Sequence, residues 1–306
     1  MGGTSVTNHT PGRHSKIAAQ RAAARRAQAR KRLALAGGAI VAVIVVVVVF
    51  VVVQGNGSSH SGSGSAPAAP TGAALSRLVG QVAGVPTATT DAVGAGNVTS
   101  PPTTITGDPL TSGGKPEMLY IGAEYCPYCA AERWAMIVAL SRFGTFSGLA
   151  ATHSAAKNGA GDAEPFPNTP TFTFAKSSFS SRYLLFTPVE TQTNIPDPTT
   201  GGYTTLQTPT AEQEALITKY DAANQGAIPF VDFGNKYMSV GASYDPAVLS
   251  GLTWSQIAAD LHSPSSAVAK SVLGAANYLT AAICGLTNNQ PAAACTGTVR
   301  SLQAKI

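Results

Sequence analysis

The tetrapeptide Cys126-Pro127-Tyr128-Cys129 constrains this chain more than any other stretch. An apolar run, Met118-Leu119-Tyr120-Ile121-Gly122-Ala123, stops just before it and reads as a short buried strand. Residues 130–143 follow it, with Ala130, Trp134, Ile137, Val138 and Ser141 on one stripe, so the spacing predicts a helix. Pro127 suits the first helical position, because the N–H it lacks would be unsatisfied there anyway. Cys126 then sits at the helix N-terminus, where the positive end of the dipole stabilises a thiolate. Three chemistries use two cysteines at this spacing: a redox dithiol, an inert disulfide or half of a zinc site. Zinc needs four ligands, and the other two cysteines, Cys284 and Cys295, are separated by ten residues rather than two to four. His153 and His262 are isolated, and no Gly-x-Ser-x-Gly elbow occurs to support a serine hydrolase.

A second feature sets the topology. Residues 33–53 carry no charge and are almost pure valine towards their end. At about 1.5 Å per residue they span a hydrocarbon core of about 30 Å, which predicts a transmembrane helix. Eight of the 20 Lys and Arg residues lie in residues 1–32, a stretch with no acid. Such a basic tail belongs on the cytoplasmic side and places the body outside. An apolar stretch this long exceeds the apolar region of a cleavable signal peptide, so an uncleaved, single-pass anchor in the lipid bilayer is expected. The rest of the chain has twelve basic against 15 acidic residues, so the positive net charge of +5 belongs to the tail. It does not indicate a nucleic-acid partner.

Beyond the anchor, residues 54–74 are rich in Gly, Ser, Ala and Pro and read as a flexible linker. Residues 75–114 form an extension that is mostly irregular by its prolines, apart from a short helix near residues 75–82. Residues 115–306 are the extracytoplasmic domain. Within it, residues 171–174 and 183–190 read as strands, and residues 191–210 as a long loop. Thr210 with Gln213 makes a capping-box pattern. Residues 227–233 and 236–241 are two β-rich runs joined by Gly234-Asn235, a hairpin signal. Thr253 caps a helix to Leu261, and Ser263-Pro264 starts a long helix to Cys284. An even cysteine count outside the membrane predicts a disulfide between Cys284 and Cys295.

A strand, a Cys-Pro-Tyr-Cys helix, an Ile228-Pro229-Phe230 strand with a tight hairpin and a terminal helix together resemble the thioredoxin fold. The fold class expected is therefore α/β, thioredoxin-like, preceded by one transmembrane helix. The resemblance implies a cis peptide at Pro229, lying against the two cysteines, with Ile228 and Pro229 beside the bound substrate chain. Tyr128 either lines that groove or is an exposed spacer. The Pro-Tyr dipeptide matches glutaredoxins, though nothing else supports a glutathione site. About 85 residues separate the Cys-Pro-Tyr-Cys helix from Pro229, which implies an insertion at about residues 157–225. At finer grain, residues from about 115 to 285 resemble the membrane-anchored, thioredoxin-like domain-of-unknown-function family 929. Tyr120-Ile121-Gly122-Ala123-Glu124-Tyr125-Cys126-Pro127-Tyr128-Cys129-Ala130-Ala131-Glu132-Arg133-Trp134, Ile228-Pro229-Phe230-Val231-Asp232 and Ile283-Cys284 carry it.

The expected activity is thiol–disulfide exchange on protein cysteines, as oxidase or isomerase rather than reductase, since disulfides persist outside the membrane. Cys126 is the nucleophile and Cys129 the resolving thiol. No cofactor and no metal are expected, and a membrane redox partner must recycle the dithiol. Asp232 reads first as a solvated or hydrogen-bonded strand residue, with a proton relay as the alternative. The alternative is a non-catalytic binding or assembly module of the cell envelope, built on the same scaffold.

Overall fold

The computed structural model describes residues 67–306. The basic tail, the expected transmembrane helix at residues 33–53 and most of the expected linker lie outside the described residues. Helix α1 (Gly72–Ala83) buries Leu78 and Val82, and α2 (Thr87–Val93) follows at once. So α1 starts inside the stretch read as linker, and part of the extension read as mostly irregular is helical. The reason lies in Pro86, which is the N-cap of α2 with φ −63°. Its fixed φ begins a helix there rather than merely interrupting the backbone.

Two-residue strands β1 (Thr103–Thr104) and β2 (Thr111–Ser112) precede the principal strand, β3 (Lys115–Gly122). β3 feeds α3 (Pro127–Leu140). Then come β4 (Thr145–Ser147), β5 (Ala150–His153), β6 (Pro170–Thr173), β7 (Ser178–Ser180) and β8 (Leu185–Glu190). The hairpin β9 (Gln192–Asp197) and β10 (Gly202–Thr205) leads to α4 (Ala211–Tyr220). The last elements are β11 (Phe230–Phe233), β12 (Tyr237–Val240), α5 (Trp254–Asp260), α6 (Ala267–Leu286) and α7 (Gly297–Gln303).

One six-stranded sheet organises these pieces, in the order β1-β12-β11-β3-β2, with β8 also on β3. β8 runs parallel to β3, from Glu117 opposite Leu185 to Gly122 opposite Glu190. β11 runs antiparallel to β3 and pairs Phe230 with Ile121. β12 returns along β11 through Gly234 and Asn235, whose φ values of +64° and +55° are what a two-residue hairpin turn needs. Alternation sorts the side chains. Met118, Tyr120, Val231 and Phe233 join the main core with α3 and α6, while Leu119, Ile121 and Val189 meet Leu216 and Ile217 of α4 on the other face.

Three further sequence expectations need correction. Residues 191–210 are not simply a loop. They hold β9–β10, and Pro196 is accommodated because this two-stranded ribbon leaves edge positions that need no amide. The long helix starts after Ser266, not at Ser263, because Ser266 Oγ accepts from Ala269 N while its own N–H closes a turn onto Ser263 O. Helix α3 has no single apolar stripe. Apart from Tyr128 in its first turn it is buried on all sides, Glu132 and Arg133 included.

Among the described residues, α6 alone is long and apolar enough to cross a membrane. It is nevertheless almost wholly buried against its neighbours, as the core helix of this unit. A disulfide joins Cys284 near its end to Cys295, with Cα atoms 5.9 Å apart, and ties down the chain that enters α7.

Candidate active site

Cys126 is the N-cap of α3, with Pro127 in the first turn. Its sulfur accepts from the Cys129 amide at 3.4 Å and donates to the Ile228 carbonyl at 3.8 Å. The residue before Pro229 therefore lies against the first cysteine, and the Ile228–Pro229 peptide is cis. Both Cys126 and Cys129 are free thiols. Their settings differ. Cys126 is 5% exposed at the rim, whereas Cys129 is wholly enclosed.

Electrostatics separate them further. The hydrogen bond from the Cys129 thiol is the largest influence on Cys126 and lowers its pKa. Burial opposes this, and the amides of Cys129 and Tyr128 with the Arg133 charge reinforce it, so the net shift is downward. Burial dominates at Cys129 and raises its pKa, and the hydrogen bond and charge of Cys126 push the same way. The arrangement thus offers one rim thiol that ionises readily and one enclosed thiol that holds its proton.

Beneath the pair lies a polar layer that is fully buried. Arg133, one helical turn after Cys129, donates from Nε to Glu190 Oε1 at 2.8 Å and from Nη2 to Glu190 Oε2 at 2.6 Å. Nη2 also donates to the Ala123 carbonyl at 2.7 Å, just ahead of the cysteines. Burial is the largest influence on Arg133 and opposes its charge, but the charge and hydrogen bonds of Glu190, with Tyr120 and Cys129, together outweigh it and hold the guanidinium cationic. The Arg133 guanidinium lies 5.9 Å from the centroid of the Tyr120 ring. Gly122 has to be glycine here, since a methyl group would collide with Tyr120 Oη and press to 3.1 Å from Cys129 Sγ.

The chain between α3 and β11 forms the rim. Tyr125 stacks on Tyr203 of β10 with centroids 4.1 Å apart, and Tyr203 donates to Glu164 at 2.6 Å. Tyr128, which is 39% exposed, meets Phe166 edge-on at 6.1 Å. Glu124 N donates to Gln192 O, which docks the β9–β10 hairpin beside the approach to Cys126.

Asp232 does not reach this site. It faces the α4 side of the sheet at the far end of β11, where Asn235 N donates to it at 2.6 Å. Burial raises its pKa to about 6. Trp134 and Phe230 are core residues. Among the described residues, no group of three or more His, Cys, Asp or Glu side chains is placed to hold a metal ion. A surface depression of about 460 Å³ sits by Asn235, Lys236 and Leu286, away from the cysteines.

The family model for the domain of unknown function DUF929 matches residues 101–285. The chain belongs to the DUF929 family. The matched span contains Cys126, Cys129, Arg133, Glu190, Pro229 and Cys284, and it stops short of Cys295. No curated protein and no solved structure matches the chain. Within the DUF929 span, Tyr120, Arg133 and Glu190 have no role that the sequence alone discloses. One signal was available: Glu132-Arg133 is a charged pair inside an otherwise apolar helix, and Arg133 is four residues, one turn, from Cys129.

Proposed function

We propose that this chain is a membrane-anchored, extracytoplasmic thiol–disulfide oxidoreductase that acts on protein cysteines through Cys126 and Cys129. The observation that carries the proposal is the split between the two thiols. Cys126, with lowered pKa, caps a helix against Ile228, and Cys129, with raised pKa, waits one turn inside. That is the asymmetry disulfide exchange needs.

A thioredoxin-like platform is the fold reading that goes with it. Its support is the strand order β8-β3-β11-β12, with β8 parallel and β11 antiparallel to β3, α3 and α6 on one face and α4 on the other. The β5–β6 and β9–β10 ribbons between α3 and β11 are then insertions that build the rim.

In the oxidising direction, a substrate thiolate attacks the Cys126–Cys129 disulfide at Cys126 Sγ, and Cys129 leaves as a thiolate that takes a proton. A second substrate thiolate attacks the substrate sulfur of this mixed disulfide and expels Cys126. The substrate loses two electrons and the protein gains them. Reduction is the reverse. Placement outside the membrane favours oxidation or shuffling, and a membrane redox partner then removes the electrons.

The test is an equilibrium titration of the full chain in detergent against thiol/disulfide buffers, with mass tagging of free thiols. The proposal expects Cys126 and Cys129 to oxidise and reduce together at one defined potential while Cys284–Cys295 stays closed. A parallel assay for oxidative refolding of a reduced protein is expected to need both cysteines. Full function with Cys126→Ser would instead favour a non-catalytic binding or assembly module.

A further inference from the structure

Two buried polar groups beneath the cysteines are left without partners. Tyr120 Oη and Arg133 Nη1 make no hydrogen bond among the described residues, although both side chains are fully buried. An enclosed hydroxyl without a partner costs stability, and Phe at position 120 would keep the ring contact with Phe174, centroids 5.5 Å apart, without that cost. Both groups lie on the face of β3 and α3 that carries Cys129. The spot above Gly122 where a methyl group would sit is bounded by Tyr120 Oη on one side and Cys129 Sγ on the other. The Glu190 carboxylate satisfies Nε and Nη2 of Arg133, so the guanidinium is held rigidly with Nη1 still available.

We propose that Tyr120 and Arg133 are positioning residues that stabilise the Cys129 thiolate while Cys126 is tied up in a mixed disulfide. This rests on the redox reading above. In the resolving step, Cys129 gives up its proton, its thiolate forms the bond to Cys126 Sγ, and the Cys126–substrate bond breaks. The substrate leaves as a thiolate and takes up the proton that Cys129 released. During this step Tyr120 Oη donates to the Cys129 sulfur and Arg133 supplies positive charge behind it. Neither residue gains or loses a proton, and neither changes oxidation state. An enclosed thiol that otherwise resists ionisation thereby becomes a competent nucleophile.

The experiment uses the reduced full chain in detergent and the small aromatic disulfide dithionitrobenzoate. Attack by Cys126 releases one thionitrobenzoate and leaves the other on Cys126. Attack by Cys129 then releases the second, and its rate against pH reports ionisation of Cys129. Tyr120→Phe is expected to fold with unchanged or higher thermal stability. Its second release is expected to slow about tenfold at neutral pH, with the midpoint raised about one pH unit, the scale of one lost hydrogen bond to a charged sulfur. The pair variant Arg133→Met with Glu190→Gln, which leaves no unpaired buried charge, is expected to shift the midpoint in the same direction. An unchanged second-release profile in both variants overturns the proposal and leaves the redox reading standing. Absence of a second release from the unaltered chain overturns the redox reading itself.

Discussion

Replacing Arg133 by Met removes the cation and leaves Glu190 charged and fully enclosed. In the intact site Glu190 accepts two bonds from Arg133, at 2.8 and 2.6 Å, and one from Phe174 N at 3.2 Å. After the substitution only the Phe174 amide remains for Glu190, and the Ala123 carbonyl keeps only the Cys126 amide, at 3.3 Å. Breaking a buried pair from one side costs about 3–5 kcal/mol, mostly because of the stranded charge. That is a large part of the roughly 5–15 kcal/mol that holds a domain folded. Adding Glu190→Gln to Arg133→Met removes the stranded charge while Gln still accepts from Phe174 N. The double variant is therefore expected to be more stable than the single one, by about 2 kcal/mol, although it changes more atoms. Urea unfolding followed by fluorescence suits the measurement, because both tryptophans, Trp134 and Trp254, are buried. With an m-value of about 2 kcal/mol/M, the single variant lowers the midpoint by about 2 M and the second change restores about 1 M. A double variant no more stable than Arg133→Met would refute the idea that this buried charge pair organises the site.

Three further outcomes follow from the geometry. Iodoacetamide alkylation of Cys126 against pH is expected to show a midpoint below that of a free cysteine, and Cys129→Ala is expected to raise it, because the Cys129 thiol is the largest cause of the shift. Burial lifts the Glu132 carboxyl from 4.5 to about 7 against the two hydrogen bonds from Ser243. Since the folded pKa is the higher one, its contribution to stability is fully present below about pH 4.5 and is lost as pH rises towards 7. Glu132→Gln is expected to remove roughly 3 kcal/mol of that decline in urea unfolding at a series of pH values. Replacing Cys284 and Cys295 together by Ala is expected to cost about 3 kcal/mol by the chain-entropy model for a loop of this size. In the same variant the thiol titration of Cys126 is expected to be unchanged, since that disulfide lies in the α6–α7 connection.

What could be read from the sequence was what depends on near neighbours. Pro127 in the first turn, Cys126 as the cap, the Gly234–Asn235 turn, the capping box Thr210/Gln213 and the Thr253 cap are all settled within four residues, and the structure has each of them. The polar layer under the cysteines was not legible, because its partners meet only after folding. Arg133 and Glu190 are 57 residues apart, and Glu132 reaches Ser243 across 111. The burial of α3 on every side escaped for the same reason. A helix stripe is visible in a sequence only when the opposite face is left to water, and α3 beyond Tyr128 has no such face. The β9–β10 ribbon reads as loop in the sequence because Pro196 is a strong local signal, while the pairing of Asp197 with Gly202 that makes the strand is set across the turn.

The central claim is that Cys126 exchanges disulfides with other proteins and that Cys129 resolves the intermediate. The most direct measurement isolates the full chain carrying Cys129→Ala from its own membranes, after acid quenching, and resolves it under non-reducing conditions. The account predicts covalent adducts that a thiol reductant releases and that disappear when Cys126→Ser is added. An absence of adducts with Cys129→Ala, or adducts that persist without Cys126, would contradict it.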